Sequence, residues 1–408
     1  MDSKLPSIPV WQAAVVSGLI VWILATRAFP VAPILRSSLR PFIVHHVDSG
    51  VSSILRLQRM QGRSLDVLFA ILAVLVSKEF YTFFLPLLFW SGHSRLARQM
   101  TLLMAFSTYI GNCVKDTFSA PRPPSPPVRR FTVTDSEKVF ASEYGLPSSH
   151  AMNTVGLLGY LLLYSISHFD ITGFHLVLLI SLFVMIAVLT IIGRLYLGMH
   201  SPIDTYAGVF IGLGLLTLWS YIGEFLDSFI VSGSNVESFW VSLSILLQFA
   251  YPMPETPTPS FEYNTAFTGV ALGVVLGVNR TYHQYHHGEI LDSSKKLLKR
   301  LLIGFPVVLF AKVASKELAK VLLPSFSNLL NIPVKSSTYI PAMHQDMPSV
   351  DDEKSGQVQD VLDCKRAVAF FGTPVPYDID TGIRFCTYTS LGWSVVELVP
   401  YLFDYLGL

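Results

Sequence analysis

Charge is scarce in this chain. Asp, Glu, Lys and Arg make up 14% of its 408 residues, where about 25% is usual for a soluble protein. Net charge is close to nil at +1, which excludes a nucleic-acid binder that works through an excess of basic side chains. Cysteine is nearly missing: Cys113, Cys364 and Cys386 are odd in number and far apart, giving neither a disulfide framework nor zinc spacing. There is no internal repeat and no heptad run, so a coiled coil is excluded too. Apolar residues are what the chain has in quantity: 51% are hydrophobic and 12% aromatic, with a mean hydropathy of +0.50. The class left standing is an all-α, polytopic membrane helical bundle.

A helix needs roughly 20 mostly apolar residues to cross the hydrocarbon core. Stretches near that length fall at 11–29, 67–90, 97–115, 150–168, 173–193, 202–225, 236–251, 263–279, 301–323 and 385–407. Eight to ten transmembrane helices are therefore expected. The first reads as a retained helix or anchor, since a signal sequence would need more than Lys4 ahead of it and would not end on Arg27. The second half of 301–323 carries Lys312, Lys316 and Lys320 at i, i+4 spacing and reads as an interfacial amphipathic helix. The organisation follows: 1–66, an N-terminal helix and basic loop with six arginines in 27–66; 67–225, a catalytic core; 226–323, additional helices; 324–384, a polar linker with the acidic patch Asp351-Asp352-Glu353; and 385–408, a C-terminal helix.

Polar residues gather at helix ends, and three junctions are informative. Lys115 closes the third stretch, with Arg122 seven residues on in the proline-stiffened run PRPPSPP. Pro147-Ser148-Ser149-His150 opens the fourth; serine is a strong N-cap, and a helix's first turn offers unpaired N–H groups to an anion. Arg194 closes the fifth, and His200-Ser201-Pro202-Ile203-Asp204 opens the sixth, with Ser201 as N-cap, Pro202 as N1 and Asp204 as N3. Asp204 lies four residues from His200, within reach of one imidazole nitrogen, which would leave the other free to attack. Taken singly, each junction fits ordinary snorkelling or capping. If each stretch crosses once, however, Lys115, His150, Arg194 and His200 all emerge on one side of the membrane, where ionisable groups tend to be functional.

Three cations suit the oxygens of a phosphate monoester, which carries about two negative charges, and they stabilise charge developing on the phosphoryl group. His200 would attack phosphorus; His150 would protonate the leaving alkoxide and then activate water. One histidine must start neutral and the other protonated, so a bell-shaped pH profile is expected. No metal-type carboxylate cluster accompanies these residues, and neither metal nor cofactor is expected.

The order Lys-x6-Arg-Pro, Pro-Ser-x-His, Arg-x5-His-x3-Asp resembles the type-2 phosphatidic acid phosphatase (PAP2) superfamily, which includes lipid phosphate phosphatases and glucose-6-phosphatase and is related to vanadium haloperoxidases. Two departures stand out, Ser149 in place of the usual glycine and Gly193 in place of the usual serine. With GLPSSH, GRLYLGMHSPID, FYTFFLPLLFW and YDIDTGIRFCTY, the chain is most similar to the sphingosine-1-phosphate (long-chain base phosphate) phosphatase branch. The resemblance implies catalytic His200 and His150 supported by Asp204, and phosphate contacts from Lys115, Arg122, Ser148, Ser149 and Arg194. It also implies a phosphohistidine intermediate, a lipid phosphate substrate, surrounding membrane lipids as the other partner, and an endoplasmic-reticulum enzyme with a lumenal site.

Alternatives stay open at this point: a broad-specificity lipid phosphatase, a lipid phosphotransferase, or a transporter or scaffold with a vestigial phosphate pocket. Phe80, Tyr81, Phe83, Phe84, Phe89 and Trp90 read either as lining for a lipid chain or as an interfacial belt. The basic residues of 279–300 place that loop in the cytoplasm and the catalytic side in the lumen, while the arginines of 27–66 vote the other way. His283, His286, His287 and Glu289 read as a solvated loop, Asn279-Arg280-Thr281 as a sequon close to a span, and Cys113 as packing within its helix.

Overall fold

A computed structural model describes residues 8–132, 141, 143–256, 258–287, 293–336 and 377–408. Among the described residues the fold is all-α apart from a two-residue parallel bridge between β1 (Val334–Lys335) and β2 (Tyr377–Asp378). Its helices are α1 (Val10–Ala28), α2 (Val31–Gln58), α3 (Arg63–Leu75), α4 (Lys78–Trp90), α5 (Ser94–Phe118), α6 (Ser149–Asn153), α7 (Gly159–His168), α8 (Gly173–Tyr196), α9 (Pro202–Ser232), α10 (Val236–Ala250), α11 (Ser260–Tyr285), α12 (Ser294–Leu329), α13 (Ile379–Trp393) and α14 (Val399–Tyr405).

Two pairs of these are single rods with a widened turn between them. Thr154–Leu158 joins α6 to α7, and Ser394–Leu398 joins α13 to α14. At the first, the Thr154 hydroxyl donates to the His150 carbonyl at 2.7 Å, competing with the backbone ladder. At the second, Pro400 has no N–H to give to Val396. His286 fills that vacancy, its Nε2 meeting the Val396 carbonyl at 2.8 Å. His286 is buried in consequence, which corrects its reading as part of a solvated loop; Glu289 lies outside the described residues. Asn279 of the sequon donates to the Ile230 carbonyl at 2.7 Å.

Each end of the bundle has its own character. One end gathers the start of α5 and the end of α9, joined by the buried Arg98–Asp227 pair at 2.8 Å. It also holds Arg300, which donates to the carbonyls of Trp90 and Leu408. The opposite end gathers Lys115, Ser149, Arg194 and Pro202. The main apolar core lies between, built on α4, α5, α7, α9, α10, α11, α14 and the turn before α14.

Every apolar stretch of the sequence is helical. Among the described residues, four helices are by length and apolarity alone sufficient to cross a membrane: α1, α8, α9 and α11. The α3–α4 pair, bent by 49°, makes a fifth. This strict number falls short of the eight to ten expected, because widened turns split two rods, α10 has 15 residues, and charged residues dilute α5 and α12.

Two polar segments differ from expectation. Most of 27–66 is helix α2 rather than loop, and it lies across the polar end of the bundle. Arg36 donates to the carbonyls of Asp116, Thr117 and Met253, Gly50 packs on Pro202, and Gln58 donates to the carbonyls of Arg129 and Tyr196. The linker 324–384 is shorter than expected: α12 continues to Leu329 and α13 begins at Ile379. The patch at 351–353 lies outside the described residues. In α12 the Lys312 ammonium sits 5.2 Å from the Tyr388 ring centre.

Candidate active site

Three backbone hydrogen bonds knit the polar junctions together. Gly145 N–H donates to the Ala120 carbonyl at 2.9 Å, Ser148 N–H to Asp204 at 2.9 Å, and Phe131 N–H to Leu197 at 2.9 Å. The first joins the two ends of the loop between α5 and α6. The second binds the start of α6 to the start of α9, and the third ties that loop to the end of α8.

Local chemistry sets each helix end. Ser201 and Asp204 form a reciprocal capping box, with Asp204 Oδ2 accepting from Ser201 N–H at 2.7 Å and Pro202 in the first turn. Ser148 caps α6 by accepting from Ala151 N–H at 3.4 Å. A serine cap stabilises a helix start by about 1 kcal/mol. Gly198, with φ +69°, makes the turn out of α8; a Cβ there would lie 2.2 Å from the Arg129 carbonyl oxygen. Gly193 has a packing reason as well: a Cβ at that position would stand 2.7 Å from the Phe69 ring. The serine usual in the superfamily does not fit against α3 here.

Of the eight residues expected at the site, six line one cavity: Lys115, Arg122, Ser149, His150, Arg194 and His200. Ser148 and Asp204 do not line it; both are fully buried behind its wall, with Ser148 Oγ and Asp204 Oδ2 engaged in caps. The His200–Asp204 contact is also looser than the spacing suggests. His200 Nδ1 lies 3.7 Å from Asp204 Oδ2, beyond a hydrogen bond, because that oxygen is held by the capping box.

The other imidazole nitrogen is engaged directly. Arg122 Nη1 stands 3.1 Å from His200 Nε2. Guanidinium only donates, so Nε2 holds the lone pair and Nδ1 the proton. Burial, then the charges of Arg122, Arg194 and Lys115, push the His200 pKa well below the ordinary imidazole value. The ring is neutral at physiological pH and its lone pair is aimed at the cavity's cations. Arg122 also donates from Nε to the Glu143 carbonyl at 2.9 Å. Burial pushes its pKa down to about 10, with Glu143 opposing, so it stays charged at neutral pH. His150 hydrogen-bonds the Ala73 backbone, and its Nε2 is buried with no protein partner.

One participant is not legible in the sequence. Glu143 is buried in the same cavity, its Oε2 2.8 Å from Lys115 Nζ. An acid in a proline-rich loop looks like any solvated loop residue, and only the fold turns it inward. Lys78, Glu79, Asn112 and Tyr263 line the cavity as well.

The cavity adjoins a second, apolar one. Lys78, Glu79, Met104, Tyr263 and Phe267 line both, and the second continues past Tyr81, Leu85, Phe89, Val270 and Val395. The two cavities have volumes of about 140 Å³ and 230 Å³. Tyr81 and Phe89 of the aromatic segment thus line a channel. Phe83 faces outward, 61% exposed, while Trp90 is in the core.

Residues 96–228 match the PAP2 superfamily. The chain is 48% identical to lipid phosphate phosphatase delta of Arabidopsis thaliana, over 98% of this chain and 97% of the relative. It is 26% identical to dihydrosphingosine 1-phosphate phosphatase C823.11 of Schizosaccharomyces pombe, over 90% and 91%. Identity to sphingosine-1-phosphate phosphatase 1 of Rattus norvegicus is 24%, over 86% and 75%. No solved structure matches significantly. The chain belongs to the PAP2 superfamily and is a phosphatase of its lipid phosphate phosphatase and sphingosine-1-phosphate phosphatase branch.

Proposed function

We propose that this phosphatase hydrolyses long-chain base 1-phosphates without a metal ion, through a phosphohistidine at His200. The observation that carries the reading is the meeting of Lys115, Arg122, Arg194, His150 and His200 around one cavity that runs on into an apolar channel. Lys115, Arg122, Arg194 and the start of α6 at Ser149 hold the phosphate oxygens, Arg122 turning from Nε2 to the phosphate as it enters. His200 Nε2 then attacks phosphorus while the P–O ester bond breaks, and His150 gives its proton to the departing alkoxide. Water next loses a proton to His150 and attacks phosphorus; the P–N bond breaks, releasing inorganic phosphate and neutral His200. The cations stabilise charge throughout, which is where catalysis of phosphoryl transfer mainly arises. Asp204 acts as a positioning residue, its capping box fixing the turn that carries His200. The membrane is that of the endoplasmic reticulum, with the site facing the lumen.

The test is a substrate panel on purified enzyme with a chelator present. Sphingoid base 1-phosphates are expected to give the highest kcat/KM, above phosphatidate and well above sugar phosphates. Equal rates on sphingoid base phosphates and phosphatidate would favour a broad lipid phosphatase; phosphoryl transfer to an added lipid alcohol in preference to water would favour a phosphotransferase. Loss of activity with chelator would contradict the metal-independent reading.

A further inference from the structure

A carboxylate inside a phosphate-binding cavity is costly unless something cationic accompanies the phosphate. Glu143 is such a group: its side chain is 2% exposed and ion-paired with Lys115 at 2.8 Å, and its backbone carbonyl is held by Arg122. A phosphate that takes up Lys115 and Arg122 draws on both cations that now compensate Glu143. A phosphate monoester, with about two negative charges, then lies beside that carboxylate in a buried setting.

We propose that Glu143 is the specificity residue of the site, accepting a charge-assisted hydrogen bond from an ammonium on the carbon next to the phosphate-bearing carbon of the substrate. The inference rests on the proposed lipid phosphatase reading and deepens it. A long-chain base 1-phosphate carries an ammonium at that place, one bond beyond the ester carbon, so it lies beside the phosphate and next to Lys115. Glycerol-based lipid phosphates carry no amine there and leave the carboxylate uncompensated beside an anion. The apolar channel past Tyr263 and Phe267 then takes the chain on the far side of the headgroup. In the absence of substrate, the Glu143–Lys115 pair keeps both groups satisfied in a buried setting, where a lone charge would not be tolerated.

The test compares two phosphates in detergent micelles, a saturated long-chain base 1-phosphate and the same molecule with hydrogen in place of the amine. A hydrogen bond to a charged group discriminates by about tenfold or more, so the unaltered enzyme is expected to favour the amine by at least that ratio in kcat/KM. Glu143→Gln is expected to bring the ratio to within about twofold, by lowering the amine substrate's value and raising that of the amine-free one. Glu143→Asp is expected to restore part of the preference. The ratio comes from one preparation, so it is independent of how much enzyme folds. If Glu143→Gln lowers both substrates equally, Glu143 serves only to hold Lys115 and the inference fails, as it does if the unaltered enzyme hydrolyses both equally. If the enzyme hydrolyses neither, the parent reading falls and this one with it.

Discussion

The chemistry at residue scale turns on how tightly His200 holds a proton. In the folded chain its pKa lies well below the ordinary value because the ring is buried and flanked by Arg122, Arg194 and Lys115. The unfolded chain takes up that proton near pH ~6.5, whereas the folded chain does so only further down. The stability this contributes is fully present above about 6.5 and is lost as pH falls from there towards the folded value. Melting temperature in detergent is expected to drop between about pH 6.5 and 5, and His200→Gln to flatten that slope. Equal slopes in the two proteins would show that the site does not hold His200 neutral. Six of the eight expected residues line one cavity, and most of them stand at or near the end of an apolar stretch, where a charge has few bland explanations. Ser148 and Asp204 were legible as capping residues, and Ser148 Oγ and Asp204 Oδ2 serve in caps behind the cavity wall.

Among the elements, the turn from α8 to α9 carries His200, the proposed nucleophile, and Gly198 lets it form. A Cβ there meets the Arg129 carbonyl at 2.2 Å, and Arg129 cannot yield cheaply because Gln58 of α2 holds its backbone at both carbonyl and N–H. Gly198→Ala is expected to cost about 1–2 kcal/mol for the left-handed backbone alone, with more for the contact, and to cut kcat as His200 shifts. Thermal melts and kinetics on the same sample check this; an unchanged melt would mean the turn is not constrained as described. Helix α2 is the element that composition hid. Six arginines read as loop or topological signal, yet Arg36 donates to three carbonyls and Arg40 pairs with Glu255 at 2.6 Å. Side chains spent on protein partners in this way carry little vote on orientation. The helix itself lays exposed Ile34, Leu39 and Phe42 along one edge of the polar end of the bundle.

For the whole molecule, the meeting of the ends of α5, α6, α8 and α9 turns residues scattered from Lys115 to Asp204 into one site, and its sidedness follows once one loop is placed. With Arg36 and Arg40 of α2 tied to protein, the basic start of α12 after Ser293 is the better guide, and the proposed lumenal site rests on it. Glycosylation acceptor inserts after Pro127 are expected to be modified in microsomes and inserts after Ser293 to stay bare; the reverse pattern would turn the enzyme over. Fold class was readable because a chain this apolar has few ways to satisfy its backbone in lipid. The meeting of the two cavities was not, since the channel is walled by α4, α5, α11 and α13, which lie far apart in sequence.

Covalent capture of the intermediate bears most directly on these claims. Enzyme mixed with a radiolabelled long-chain base phosphate and quenched within one turnover is expected to carry acid-labile, base-stable phosphate on the peptide holding His200, and His200→Ala none. Label on another residue, or full turnover by His200→Ala, would contradict the account.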